Sequence, residues 1–167
     1  MDFPRPPNDT GIGVHDDADC GFKPSDLHGF ARILREHGIT WYTMWCWDEG
    51  KADYCRALIG AGIEPVMRVD EAKMPNASID PAHIQAYRNA GARWFVLGNE
   101  YNLECEWKAE LPRDAPKKVA RWYVEKADYV RGIGGWPITP PSSPGGNINH
   151  RTFFKEFMDE LTVIAVE

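Results

Sequence analysis

Apolar positions along the chain follow two rhythms. Short, mostly apolar runs occur at GIGVH (11–15), ITWYTMW (39–45), IEPVMRVD (63–70), RWFVLGNE (93–100) and GWPITPPS (135–142). They lack clean in–out alternation, which is the pattern of parallel strands covered by helices. Between them, apolar residues recur at helical spacing. Leu27, Phe30, Ala31 and Leu34 follow Ser25 as a cap, and Ala52, Cys55, Leu58 and Ile59 form the inner face of a helix over 50–61. Ile84 and Tyr87 follow Asp80-Pro81, a cap with proline in the first turn. Val119, Trp122, Tyr123, Ala127 and Val130 follow Asp114 and Pro116, and Phe153, Phe154, Phe157 and Leu161 follow the turn PPSSPGGN.

Gly38, Gly62, Gly91 and Gly132 punctuate this pattern, each at the end of a helical stretch and just before a strand-like run. Glycine suits that position because left-handed geometry costs it little. The last run, TVIAVE (162–167), predicts the start of a sixth strand. Repeated strand–helix alternation predicts an α/β fold with a parallel sheet, in one domain over residues 1–167. Longer loops follow the strands and tight glycine turns precede them. That asymmetry predicts a parallel-stranded (β/α) barrel, TIM-barrel-like but partial, with about five to six βα units. No GxGxxG or GxxxxGK[ST] opens a helix, so neither a dinucleotide fold nor a P-loop is expected.

Composition narrows the function classes. With 43% apolar residues and seven tryptophans, the chain has ample surface to bury. A net charge of −6 offers no basic patch for nucleic acid or an anionic membrane. No apolar run approaches the ~20 residues of a membrane span. The opening MDFPRPPNDTG has no basic and apolar leader pattern, which points to the cytoplasm rather than secretion. Cysteines 20, 46, 55 and 105 form no CxxC pair and are expected as free thiols. In VHDDADCG (14–21) the spacing fits neither an EF-hand nor a zincin helix, so a solvated loop is expected and no metal or cofactor is assigned. The charge-rich ECEWKAELPRDAPKK (104–118) is expected as a mobile loop after strand four that shapes the groove beside Glu100.

If the strands are parallel, their carboxyl ends gather His15 and Asp16, Trp45 to Glu49, Arg68 to Glu71, Asn99 and Glu100, and Thr139 to Ser142 around one mouth. Trp45, Trp47 and Trp136 are candidate stacking surfaces there, with Trp41, Trp94 and Trp122 expected in the core. Aromatic faces stack on sugar C–H surfaces, while carboxylate, amide, imidazole and guanidinium groups address hydroxyls. Carbohydrate is therefore the expected partner.

At this point a resemblance enters. RWFVLGNE, closing the fourth strand on Gly-Asn-Glu, resembles the retaining glycoside hydrolases of the (β/α)8-barrel superfamily called clan A. PVMRVD and WPITPPSSPGGN are similar to that superfamily in position. The resemblance implies that Glu100 is the general acid/base, which requires a raised pKa in a partly desolvated site. It implies that Asn99 binds the sugar 2-hydroxyl and that Arg68 orients a carboxylate or hydroxyl. His15 and Trp136 are substrate-binding candidates by position.

A retaining mechanism also needs a second carboxylate about 5 Å from the first, and the superfamily places it at the end of strand seven. This pattern stops near strand six, and Glu167 is the remote candidate. Three repairs are open: an N-terminal part of a longer enzyme that lacks its C-terminal half, self-association that buries the open edges, or Glu167 itself at the rim. The function readings are a glycoside hydrolase or a fragment of one, a non-catalytic carbohydrate-binding or assembly protein, and a metal-dependent barrel enzyme resting on the HDDAD loop alone.

Overall fold

The computed structural model describes residues 3–16, 25–46, 49–69 and 73–166. Five strands form one all-parallel sheet: β1 (Gly13–His15), β2 (Trp41–Trp45), β3 (Glu64–Val69), β4 (Trp94–Leu97) and β5 (Trp136–Ile138). Their spatial order, β1-β2-β3-β4-β5, is the order of the sequence. The helices are α1 (Leu27–Glu36), α2 (Ala52–Gly60), α3 (Pro81–Asn89), α4 (Ala115–Gly132) and α5 (His150–Ile164). Parallel crossovers are right-handed, and the strand order never reverses. Every crossover helix therefore falls on the same face of the sheet.

Burial along the strands agrees with that geometry. Tyr42, Met44, Met67, Val69, Phe95 and Leu97 are buried on the helix side. Ala31, Cys55, Leu58, Ile84, Tyr87 and Val119 meet them from the helices. The alternate positions Trp41, Thr43, Trp45, Val66, Arg68, Trp94 and Val96 are only half-buried. Parallel strands with both faces covered would show no such contrast.

Local chemistry sets the helix ends. Asp80 accepts from the backbone N–H of Ala82, with Pro81 as first residue, and Asn149 accepts from Arg151 and Thr152. Helix α1 is capped by Asp26, not Ser25: its carboxylate accepts from Gly29 N at 2.8 Å. Gly38, Gly62 and Gly91 take positive φ as expected. In the GIGG run the helix continues through Gly132, and Gly134 adopts the left-handed turn.

The expected sixth strand is corrected by the structure. Thr162, Val163 and Ile164 are the last residues of α5. The period of Phe153, Phe157, Leu161 and Ile164 carries the helix through them, with the stripe packed on the core. A helix already nucleated and packed outweighs the strand preference of three β-branched residues. Buried Glu160 locks α5 to α4 by accepting from Arg121 Nε at 2.9 Å.

Residues 3–9 close the amino end of the open face. Phe3 packs on Trp136 and Trp94, with ring centroids 5.2 and 6.1 Å apart. Trp41 Nε1 donates to Asp9 Oδ1 at 2.7 Å, and Trp94 Nε1 to the Pro4 carbonyl at 3.3 Å. Trp41 and Trp94 thus belong to an aromatic plug rather than to the helix-side core, whereas Trp122 packs on that core and meets Tyr101 edge to face. Cys46 and Cys55 are buried free thiols, and burial pushes the Cys55 thiol up to about 12.

Candidate functional site

Strand β4 ends at Leu97, and the next three residues turn out of the sheet. Gly98 N still donates to the Val69 carbonyl at 3.1 Å, but φ is +86°. A Cβ at Gly98 would stand 2.4 Å from Cε2 of Tyr101, whose ring is buried. Only glycine satisfies both conditions, and the turn delivers Asn99 and Glu100 to the carboxyl end of the sheet.

Glu100 is half-buried. Among the described residues, no hydrogen bond or ion pair engages its carboxylate. Arg68 of β3 and Arg93, just before β4, are both engaged elsewhere. Arg93 pairs with buried Glu64 at the amino end, with Nε donating at 3.0 Å. Arg68 lies over the Trp45 ring, its guanidinium carbon 3.7 Å from the centroid. Such a contact is worth about 0.5–2 kcal/mol and holds the cation in place.

The neighbouring rim is built from β1 and β2. His15 Nδ1 lies 2.6 Å from the Asp16 carbonyl. A carbonyl only accepts, so Nδ1 carries the proton, and in that tautomer Nε2 is the acceptor. The His15 ring meets Trp45 edge-on at 6.3 Å. Asp16, expected at the mouth, turns instead into the interior, where Lys51 Nζ donates to it at 2.6 Å and Tyr42 at 3.4 Å. This contact engages the Asp16 carboxylate that the metal-dependent reading would need from the HDDAD loop.

The structure therefore gathers Trp45, Arg68 and His15 into one contacting group and puts Asn99 and Glu100 at the same end of the sheet. Trp136 is not brought there. It opens β5, opposite Trp94, and its ring lies in the aromatic plug at the amino end. Trp47, Asp70, Glu71 and Glu167 lie outside the described residues, as do Asp17, Asp19 and Cys20.

Two residues that sequence reasoning missed shape the rim. Glu106 accepts from Asn99 Nδ2 at 2.7 Å. Its backbone is fixed by Met74 N donating to its carbonyl at 2.9 Å, and Trp107 Nε1 donates to the Tyr101 carbonyl at 3.0 Å. The expected mobile loop is thus anchored at its start, with Trp107 buried. Asn102, fully buried, bridges to the loop after β5. It donates to the carbonyls of Ser143 and Ile148 at 2.8 and 3.0 Å and accepts from Ser143 N at 2.8 Å. Neither residue has a sequence signal, because both partners of each contact are set by tertiary structure.

Against β5 lies an apolar cleft of about 610 Å³, lined by Val96, Ile138, Pro140, Ser142, His150 and Phe154 among others. Ser142 Oγ and His150 Nδ1 are buried beside it with no hydrogen-bond partner among the described residues.

The fold and site define an α/β protein with a five-stranded parallel sheet and a polar, aromatic carboxyl end. No family model matches the chain, and no curated protein is found to be similar to it.

Proposed function

We propose that this protein is a carbohydrate-active hydrolase of the retaining glycoside hydrolase type, or a part of one, with Glu100 as its general acid/base. One observation carries the reading. A strand-end glutamate, half-buried and unengaged among the described residues, stands at the carboxyl end of a singly wound parallel sheet. Structural carboxylates in that setting are paired; an acid/base must keep its oxygens for the substrate. Singly wound order with all helices on one face also supports a partial (β/α) barrel, because a sheet of this kind closes on itself when strands are added.

In this reading Glu100 protonates the glycosidic oxygen and then activates water. Asn99 binds the 2-hydroxyl. Arg68, held over Trp45, presents its cation to a hydroxyl or carboxylate, and His15 offers Nε2 to a hydroxyl donor. Trp45 stacks a sugar on the part of its ring that Arg68 leaves open. No cofactor is required.

A second reading is a carbohydrate-binding protein without chemistry. It is favoured by the contacting group of Trp45, Arg68 and His15, which can hold a sugar without any proton transfer. A panel of aryl glycosides separates the two. Turnover that Glu100→Gln abolishes supports the hydrolase, and glycan binding that survives Glu100→Gln without turnover by either form supports the binder.

A further inference from the structure

We propose that Glu106 is a positioning residue that fixes the amide of Asn99, so that the site selects a ligand hydroxyl donor beside Glu100. The inference rests on the carbohydrate reading above and specifies how that site discriminates.

An ionised carboxylate only accepts hydrogen bonds. Glu106 Oε1 lies 2.7 Å from Asn99 Nδ2. The contact therefore forces the amide's NH2 towards Glu106 and its carbonyl oxygen the other way. Asn99 Oδ1 is buried and has no partner among the described residues. A buried acceptor without a donor is unfavourable, and a ligand O–H relieves it. A fluorine or hydrogen at the same ligand position does not.

The carboxylate is well placed to impose this choice. Its residue is clamped between two loops by backbone hydrogen bonds. Met74 N donates to Glu106 O and Lys108 N to Met74 O, each at 2.9 Å, and Trp107 bridges to Met74. A carboxylate on a loose loop would follow the amide; one held by its backbone orients it. Glu106 also lies on a segment distinct from the turn carrying Asn99 and Glu100, so the preference is set from outside the reacting pair.

The test is a ratio of affinities. Isothermal titration calorimetry compares a methyl glycoside with its 2-deoxy-2-fluoro counterpart, for the sugar that the wild type binds from a panel. The wild type is expected to favour the hydroxyl at least about tenfold, the worth of one neutral hydrogen bond. Glu106→Ala is expected to reduce the ratio below about threefold, and Glu106→Gln, whose amide turns either way, to give an intermediate value. An unchanged ratio in Glu106→Ala overturns the inference while leaving the hydrolase reading intact.

A second readout does not depend on sugar. In nuclear magnetic resonance spectra the Asn99 side-chain amide protons should exchange slowly in the wild type and quickly in Glu106→Ala, with the backbone spectrum otherwise preserved. Equal exchange in both overturns the orientation. If the wild type binds no sugar in the panel, the carbohydrate reading falls and this second readout alone decides the orientation.

Discussion

Asn102→Ala removes the clasp between the loop carrying Glu100 and the loop after β5. Asn102 is fully buried and makes three hydrogen bonds through its side chain, two as donor and one as acceptor. Each is worth about 0.5–1.5 kcal/mol net, so their loss costs about 3 kcal/mol. Water does not readily replace the amide, because the backbone comes close: a Cβ on Gly146 would stand 2.3 Å from Asn102 Nδ2. For a chain of this size, about 3 kcal/mol corresponds to a melting point lower by about 6–12 °C. Differential scanning calorimetry with a matched urea titration measures it. Asn102→Asp should be at least as damaging at neutral pH, since it buries an acceptor-only charge against two carbonyls. A loss below about 1 kcal/mol in Asn102→Ala would refute the view that this side chain joins the two rim loops.

Three further outcomes follow from the same structure. Gly98→Ala forces a side chain into φ +86° and against the buried Tyr101 ring; it is expected to cost about 3 kcal/mol or more by urea denaturation, and a neutral result would remove the turn that presents Glu100. The Gly11 amide, followed by the Trp41 indole, holds the Asp9 carboxyl below its ordinary value of 3.8. A depressed folded value stabilises above 3.8 and loses that contribution as pH falls through it, so Asp9→Asn should lower the melting point at pH 7 by more than it does near pH 3, and a pH-independent difference would refute the carboxylate's role. Among the described residues, strands β1 and β5 are sheet edges, and Phe154, Met158 and Val163 are exposed on α5; self-association is expected by light scattering, and a monomer at every concentration tested would contradict it.

How much of this was legible in the sequence depends on the range of the interaction. The Asp80-Pro81 start of α3 is a contact between adjacent residues, and the helix faces and parallel strands follow from periodicity alone. Choices between near neighbours were less visible: Ser25 and Asp26 are both good caps, and Gly132 and Gly134 both follow helical residues. TVIAVE has strand-forming residues, but its conformation is decided by α5 packing behind it. The site divides in the same way. Asn99-Glu100 shows as a strand-end motif, whereas Trp136 was misplaced because strand register, opposite Trp94, sets which end of the sheet it occupies. The Asn102 clasp spans 41 to 46 residues of sequence, and the Glu106 contact depends on a loop held against Met74 by backbone hydrogen bonds. No local pattern encodes either one.

The central claim is that Glu100 donates a proton to a glycosidic oxygen. Turnover of an aryl glycoside panel by wild type and Glu100→Gln, side by side with equal folded protein, tests it most directly. The account predicts that the wild type cleaves at least one member and that the variant loses about 10²–10⁴-fold in kcat/KM. Equal turnover by the two proteins would contradict it.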